Sequence, residues 1–278
     1  MTLNDYLETR YELKRSICQG TADGYRQAVR SLERFAGREV TLGELTPDLV
    51  NAWIRSLKVA ATTIAHRRRH ALTLWRAASE DELCSPPALW KIRRVRTPPK
   101  VPVAWSAEEV RLLAHAAKQL DGDYPKIGVR RSFFWQVAIR VGWDTALRTG
   151  DLLALDPAAF RSSHHRVVVV QHKTGKPVLV ALHATTMSFL RAVPHWPFIV
   201  WWPYTDEYFR TEFAEIVKLA NLKGSFKKLR KSSGSDVEKT NPGWGSAHLG
   251  HSFGPKISHM FYFDPRITGT DKPMPEEL

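Results

Sequence analysis

The stretch 91–104, KIRRVRTPPKVPVA, divides this chain before any other feature is considered. Pro98, Pro99 and Pro102 interrupt any helix there, because each lacks a backbone N–H and pushes the preceding residue towards extended geometry. A chain of 278 residues divided at that point leaves two parts, each long enough to bury its own core. The expected organisation is a domain over 1–97, a linker over 98–103 and a second domain over 104–278.

Before the break the hydrophobic pattern is helical throughout. Tyr25, Val29, Leu32 and Phe35 recur near helical spacing in 22–36. In 46–58, Thr46 is a capping residue, Pro47 suits the first helical position, and Leu49, Val50, Trp53, Ile54 and Leu57 form an apolar face. Ile64, Ala71, Leu72, Trp75 and Ala78 repeat the pattern over 61–79. A small all-helical domain of about four helices is expected.

After the break, Ser106 and Glu109 have capping-box spacing, with Trp105 and Val110 as the staple. A helix over 130–142 and a short one near Arg148 follow. The period then changes. Valine-rich 166–171 and 177–182 flank Lys173-Thr174-Gly175-Lys176, which reads as a hairpin turn. Helices are expected again at 184–192, 205–220, 225–231, 244–250 and 256–262. Gly234, Ser235, Asn241, Pro242 and Gly243 read as a loop between the third and fourth of these. The fold class is mainly α with a small antiparallel β-sheet: a helical N-terminal domain joined to a mixed α/β domain.

Charge narrows the function. Lys plus Arg number 41 against 28 Asp plus Glu, a net charge of +13, which favours an anionic partner. Two acid-free stretches stand out: 49–79, with Arg55, Lys58, Arg67, Arg68, Arg69 and Arg76, and 216–233, with Lys218, Lys223, Lys227, Lys228, Arg230 and Lys231. Each alone reads as readily as a solvated face. One on either side of the linker fits a clamp around double-stranded DNA. Hydrophobic residues at 43% exclude a mainly disordered chain, and no apolar run is long enough to span a membrane. No secretory signal is read in MTLNDYLETRYELKR. Cys18 and Cys84 form neither a disulfide framework nor a metal pair, which suits a reducing, cytoplasmic (nucleoid-associated) location. His66 and His70 lie one helical turn apart without a third ligand, so no metal is expected.

No glycine-rich nucleotide loop or HExxH motif is present. What remains is an ordered set of cations followed by a late tyrosine. Trp143-Asp144-Thr145-Ala146-Leu147-Arg148-Thr149-Gly150-Asp151-Leu152-Leu153-Ala154-Leu155 comes first, then Gln171-His172-Lys173-Thr174-Gly175-Lys176. Lys227-Lys228-Leu229-Arg230-Lys231, Leu249-Gly250-His251-Ser252 and Ser258-His259-Met260-Phe261-Tyr262 follow. Taken in this order, the chain resembles the tyrosine recombinase (phage integrase) family over nearly its whole length. The resemblance implies that Arg148 and Arg230 are the two catalytic arginines, Asp151 their acidic support, and Lys173 the hairpin lysine. It sets His251 at the later His/Trp position and Tyr262 as the nucleophile. It also implies a 3′-phosphotyrosine intermediate, no cofactor, and a homotetramer on paired DNA sites.

The chemistry is consistent with these residue types. Charge builds on the non-bridging oxygens of a phosphoryl-transfer transition state, and planar guanidinium forks stabilise it. A lysine on a hairpin tip can protonate the leaving oxygen, and a tyrosine with an unperturbed pKa near ~10 needs cations nearby to attack at neutral pH. Each residue also has an ordinary reading: a helix-end cation, a soluble hairpin tip, a helix-capping histidine, a surface acid, or a core tyrosine between Phe261 and Phe263. Trp201, Trp202 and Tyr204 read as packing. Arg55, Lys58, Arg67, Arg68, Arg69, Lys228 and Lys231 are the DNA-binding candidates.

Two departures from the family pattern are visible. Lys227 stands where the family has histidine, three residues before the second arginine. His251 and Tyr262 are eleven residues apart where nine is common, with Gly254 and Pro255 as the extra pair. The expected function is a site-specific DNA recombinase or integrase. The alternative is a catalytically weakened relative acting as a site-specific DNA-binding regulatory protein. The tail after Tyr262, FDPRITGTDKPMPEEL, is expected to be poorly held in its own subunit, with Phe263 and Ile267 as anchors for a neighbour.

Overall fold

The computed structural model describes residues 1–155, 166–191, 202–251 and 262–268. It forms two compact units, Met1–Pro99 and Lys100–Leu278.

The first unit is helical. Thr2 and Asp5 make a capping box for α1 (Leu3–Tyr6), which runs through a π turn at Leu7–Tyr11 into α2 (Glu12–Lys14). Helix α3 (Gln19–Ala36) stops at Gly37, whose φ of +71° is a left-handed conformation that glycine adopts freely. Helix α4 (Pro47–Ser56) begins where the Thr46 hydroxyl accepts from Leu49 N at 3.2 Å, and α5 spans Ala61–Glu80. Helices α3, α4 and α5 occupy the segments their apolar spacing predicts, and α1, the π turn and α2 add to them. They close over Leu3, Tyr6, Leu32, Trp53, Leu74 and Trp75. The Trp53 indole, fully buried, donates to Ser31 Oγ at 3.2 Å. His70 stacks on Tyr25 at 4.7 Å and crowds Gly24, so it serves packing.

In the second unit, α6 (Ala107–Ala116) carries the expected capping box: Ser106 Oγ accepts from Glu109 N, and Ser106 N donates to Glu109 Oε2. A two-residue ladder, β1 (Asp123–Tyr124) against β2 (Val129–Arg130), follows and was not evident from the sequence. Helices α7 (Arg131–Thr145) and α8 (Thr149–Leu153) come next. Strands β3 (Arg166–Val170) and β4 (Pro177–Ala181) then pair antiparallel with Val168 opposite Leu179. Helices α9 (Ala184–Arg191), α10 (Asp206–Leu219), α11 (Lys227–Thr240), α12 (Gly245–His248) and α13 (Pro265–Thr268) complete the described chain. The helix expected at 256–262 and the Gly254-Pro255 turn lie outside the described residues, apart from Tyr262.

Trp135 is fully buried and packs against Phe209, Phe213 and Phe226 from α10 and the start of α11. Trp202 and Tyr204 join this cluster, 5.0 Å apart, so both serve the core; Trp201 lies outside the described residues. The Tyr124 hydroxyl donates to Glu212, and Arg131 Nε reaches the same carboxylate at 2.8 Å. A buried carboxylate is thereby neutralised and bonded.

Two expectations fail for physical reasons. Helix α11 runs nine residues beyond the expected end at 231, straight through Gly234 and Ser235. Its small residues are there for close approach: a Cβ on Gly234 would lie 3.0 Å from the Leu249 side chain. Its buried serines bind other segments. Ser232 Oγ accepts from Trp105 N at 2.7 Å, and Ser235 Oγ accepts from Asp264 N at 2.9 Å. The second failure concerns the start of the tail. Phe263 is 2% exposed and packs on Ala146 and Leu249, while Asp264 Oδ2 accepts from Ala104 N at 2.8 Å. Phe263 is therefore held by its own unit and is not a free anchor for a neighbour. No helix among the described residues is long and apolar enough to cross a membrane.

Candidate active site

The site is assembled where five separated segments meet. Helix α7 ends at Ala146, which takes the left-handed conformation (φ +48°, ψ 23°) and turns its carbonyl out of the helix. That carbonyl accepts from Arg230 Nη1 at 2.5 Å. Arg230 Nη2 donates to Leu249 O at 2.6 Å and lies 3.3 Å from His251 Nε2. The guanidinium is thus fixed by main chain on two sides, and Arg230 Nε has no hydrogen-bond partner among the described residues.

Tyr262 lies against this arginine. The guanidinium carbon sits 5.4 Å from the phenol ring centroid, and the His251 ring contacts Tyr262 edge-on at 4.6 Å. Burial, then the charge of Arg148, lowers the Arg230 pKa to about 10, so the group remains a cation at neutral pH. Burial together with Arg230, Arg148 and Lys176 pushes His251 down to about 4. Its imidazole is neutral at pH 7, and Nε2 accepts from the guanidinium.

Arg148 precedes α8 in extended geometry and donates from Nη1 to Gln171 Oε1 at 2.7 Å. Its other neighbour is Asp151, one turn along α8, with Oδ2 3.9 Å away. Asp151 Oδ1 accepts from His172 N at 2.8 Å. Arg148 and its acid are therefore joined by two bonds to the hairpin turn that carries Lys173. Gly175 closes that turn at φ +64°.

Of the residues singled out in the sequence, Arg148, Asp151, Arg230, His251 and Tyr262 come together. Lys173 and Lys227 are exposed and make no hydrogen bond or ion pair with them among the described residues. Three other contributors were not singled out. Gln171 bridges Arg148 to the turn, Ala146 supplies the carbonyl, and His248 is half-buried beside the arginine. A buried polar residue at the end of a strand, or an alanine that must adopt positive φ, leaves no periodic signal to find.

The DNA-binding candidates separate. Arg55, Arg68 and Arg69 line a groove in the first unit. Arg67, on another face of α5, reaches Ser31 Oγ at 3.3 Å instead. Lys58 is exposed and Lys231 half-buried. Lys228 Nζ covers the Trp105 ring at 4.8 Å and donates to Lys223 O at 3.2 Å, so this lysine packs along its own unit. Among the described residues, no group of three or more His, Cys, Asp or Glu is arranged to hold a metal.

No protein-family profile matches the sequence, and no curated protein matches it. Solved structures do match in fold. Lambda integrase (its residues 75–356), solved as a dimer bound to a COC′ core site, superposes with a TM-score of 0.75 at 20% identity, covering 99% of each chain. The lambda integrase tetramer bound to a Holliday junction gives 0.72 at 18% identity over 91% of this chain and 78% of that one. The Tn1549 transposon integrase (its residues 82–397), in complex with circular intermediate DNA, gives 0.68 at 16% identity, covering 98% and 100%. The protein has the two-domain, mainly helical fold of the tyrosine recombinases.

Proposed function

We propose that the protein is a site-specific DNA recombinase or integrase that breaks and rejoins strands through Tyr262. The observation that carries this reading is the meeting of Arg148, Arg230, His251 and Tyr262, drawn from positions spread over more than a hundred residues, within a fold shared with DNA-bound integrases. Two buried or half-buried arginines beside a phenol suit a phosphodiester better than any neutral substrate.

In the proposed reaction the Tyr262 oxygen attacks the phosphorus and gives its proton to water, and the bond to the 5′ oxygen breaks. The products are a 3′-phosphotyrosine and a 5′-hydroxyl, whose proton comes from Lys173 on its exposed turn. A 5′-hydroxyl from another cut strand then reverses the exchange. Arg148 and Arg230 hold the non-bridging oxygens as charge develops on them. Asp151 and Gln171 orient Arg148, and no cofactor enters. Bound phosphate would also counter the cations that depress His251, returning it towards a pKa useful for proton transfer. Paired double-stranded DNA sites and a homotetramer, as in the lambda integrase Holliday-junction complex, belong to the same proposal, as does a nucleoid-associated location.

One feature favours a second reading. Lys227 stands where the family has histidine, and a lysine ammonium is a poorer proton acceptor than an imidazole. A weakened relative would bind DNA sites and regulate without cutting. A nicked suicide duplex carrying the cognate site separates the two. The enzyme gives a slow-migrating protein–DNA adduct in a denaturing gel, and Tyr262→Phe abolishes it with DNA affinity unchanged. An adduct that persists in Tyr262→Phe would move the nucleophile elsewhere, and none from the unaltered protein would favour the regulator.

A further inference from the structure

Trp90 stands almost wholly in solvent, 85% exposed, on the short 3₁₀ turn Leu89–Lys91 that follows the helices of the first unit. An indole left outside a well-packed core is unusual, and its setting is more so. It edges the groove lined by Arg55, Arg68, Arg69, Arg76, Arg93 and Arg94, and no carboxylate lines that groove. The segment that presents Trp90 is rigidly held. Asn51 on α4 closes both ends of its amide on it, donating from Nδ2 to Lys91 O and accepting at Oδ1 from Arg93 N, each at 2.8 Å. Arg68 Nε donates to Arg93 O at 2.8 Å, and Ile92 between them is 3% exposed. Burial and the neighbouring Arg94 lower the Arg68 pKa, so an anion entering the groove relieves cations already crowded together.

We propose that Trp90 is a non-ionic contact to duplex DNA: its ring lies against the sugar and base edges of a double helix whose phosphates occupy the arginine groove. This rests on the DNA-breaking reading above and adds to it a residue that grips the duplex by burying apolar surface. The charge pattern selects the partner. A protein surface docking here would need its own cluster of carboxylates, whereas a duplex supplies both a phosphate row and flat apolar edges. Pre-ordering by Asn51 and Arg68 means that binding orders little chain.

Salt dependence separates the two kinds of contact. Affinity of the whole chain for a fluorescent duplex of arbitrary sequence is measured between ~50 and ~200 mM salt. A cation lost from the groove lowers the steepness of log K against log salt by about one, whereas an apolar contact leaves the slope alone. Trp90→Ala is expected to weaken binding about five- to tenfold at every salt concentration with an unchanged slope. Trp90→Phe should recover much of the loss, and Arg76→Ala should flatten the slope. Since Trp90 is exposed, thermal unfolding of Trp90→Ala should match the parent. Wild-type affinity in Trp90→Ala at all salts overturns the proposal, as does a weakening that comes with a flatter slope. Loss of self-association in Trp90→Ala with DNA binding intact would assign the indole to a second copy instead, and overturn it too. If the unaltered protein binds no duplex at any salt, the DNA-breaking reading falls first and takes this inference with it.

Discussion

Acid should destabilise the second unit through one histidine that touches no substrate. His248 on α12 is half-buried beside Arg230, and desolvation first, then that charge, pushes its pKa to about 4. Ser233 Oγ donates to Trp143 O at 2.5 Å, so it accepts from His248 Nε2 at 2.7 Å, which fixes the neutral tautomer with the proton on Nε2. In the unfolded chain an imidazole takes up its proton near pH ~6.5, while the native one resists until about 4. Below ~6.5 the unfolded state binds more protons, so the contribution present at neutral pH is lost as pH falls from ~6.5 towards 4. At pH 5 almost every unfolded imidazole is protonated and few native ones are, a cost of about 2 kcal/mol from this residue alone. His251 acts in the same direction but is more exposed to solvent. The assay is urea unfolding at pH 7.5 and pH 5.0, followed by hydrogen exchange of the α11 amides, in the parent and in His248→Gln. Glutamine keeps a donor for Ser233 and does not titrate. The parent should lose about 2 kcal/mol more than the variant between the two pH values. Equal losses would refute the reasoning, since the remaining titrating groups are common to both proteins.

Three further outcomes follow from the same geometry. Ala146→Gly removes roughly 1 kcal/mol of left-handed strain but also a buried methyl worth about 0.8 kcal/mol, so stability should change by less than ~1 kcal/mol; Ala146→Val, β-branched at φ +48°, should cost more than ~2 kcal/mol in thermal unfolding. Gly245→Ala places a Cβ 2.6 Å from Phe263 and 2.8 Å from Gly234 O, and should destabilise by about 1–3 kcal/mol in urea unfolding, as overpacking does. Lys227→His puts a group with pKa near ~6.5 beside the proposed reaction, and in an active enzyme it should raise adduct formation between pH 7 and 8 on the suicide duplex; a decayed site would give no adduct in either form.

The helices of both units were legible because amphipathic spacing and caps are local. Thr46 before Pro47, and Ser106 with Glu109, announce helix starts that form as expected. The hairpin was legible for the same reason: two valine-rich runs around KTGK can pair only with each other at that separation. Other features escaped. Gly234 and Ser235 look like loop residues because their propensities favour one, yet packing against Leu249, Trp105 and Asp264 rewards small side chains and helix wins. The start of the tail looked loose because its neighbours are polar, and only the buried bond from Ala104 N to Asp264 shows how it is held.

For the candidate site the division is sharper. The resemblance to the tyrosine recombinases, in order and residue type, pointed to Arg148, Arg230, His251 and Tyr262, and phosphoryl chemistry is consistent with such cations and a nucleophile. Sequence could not say that Arg230 spends two of its donors on the carbonyls of Ala146 and Leu249, or that Gln171 joins Arg148 to the lysine turn. Nor could it separate Arg67 from Arg68 and Arg69, three adjacent arginines that a helix rotates onto different faces. Local patterning fixes elements because a cap or an apolar stripe acts within a few residues. Guanidinium direction, histidine protonation and the burial of Phe263 are set by groups a hundred positions away or more in some cases, and only the folded chain brings those groups within reach.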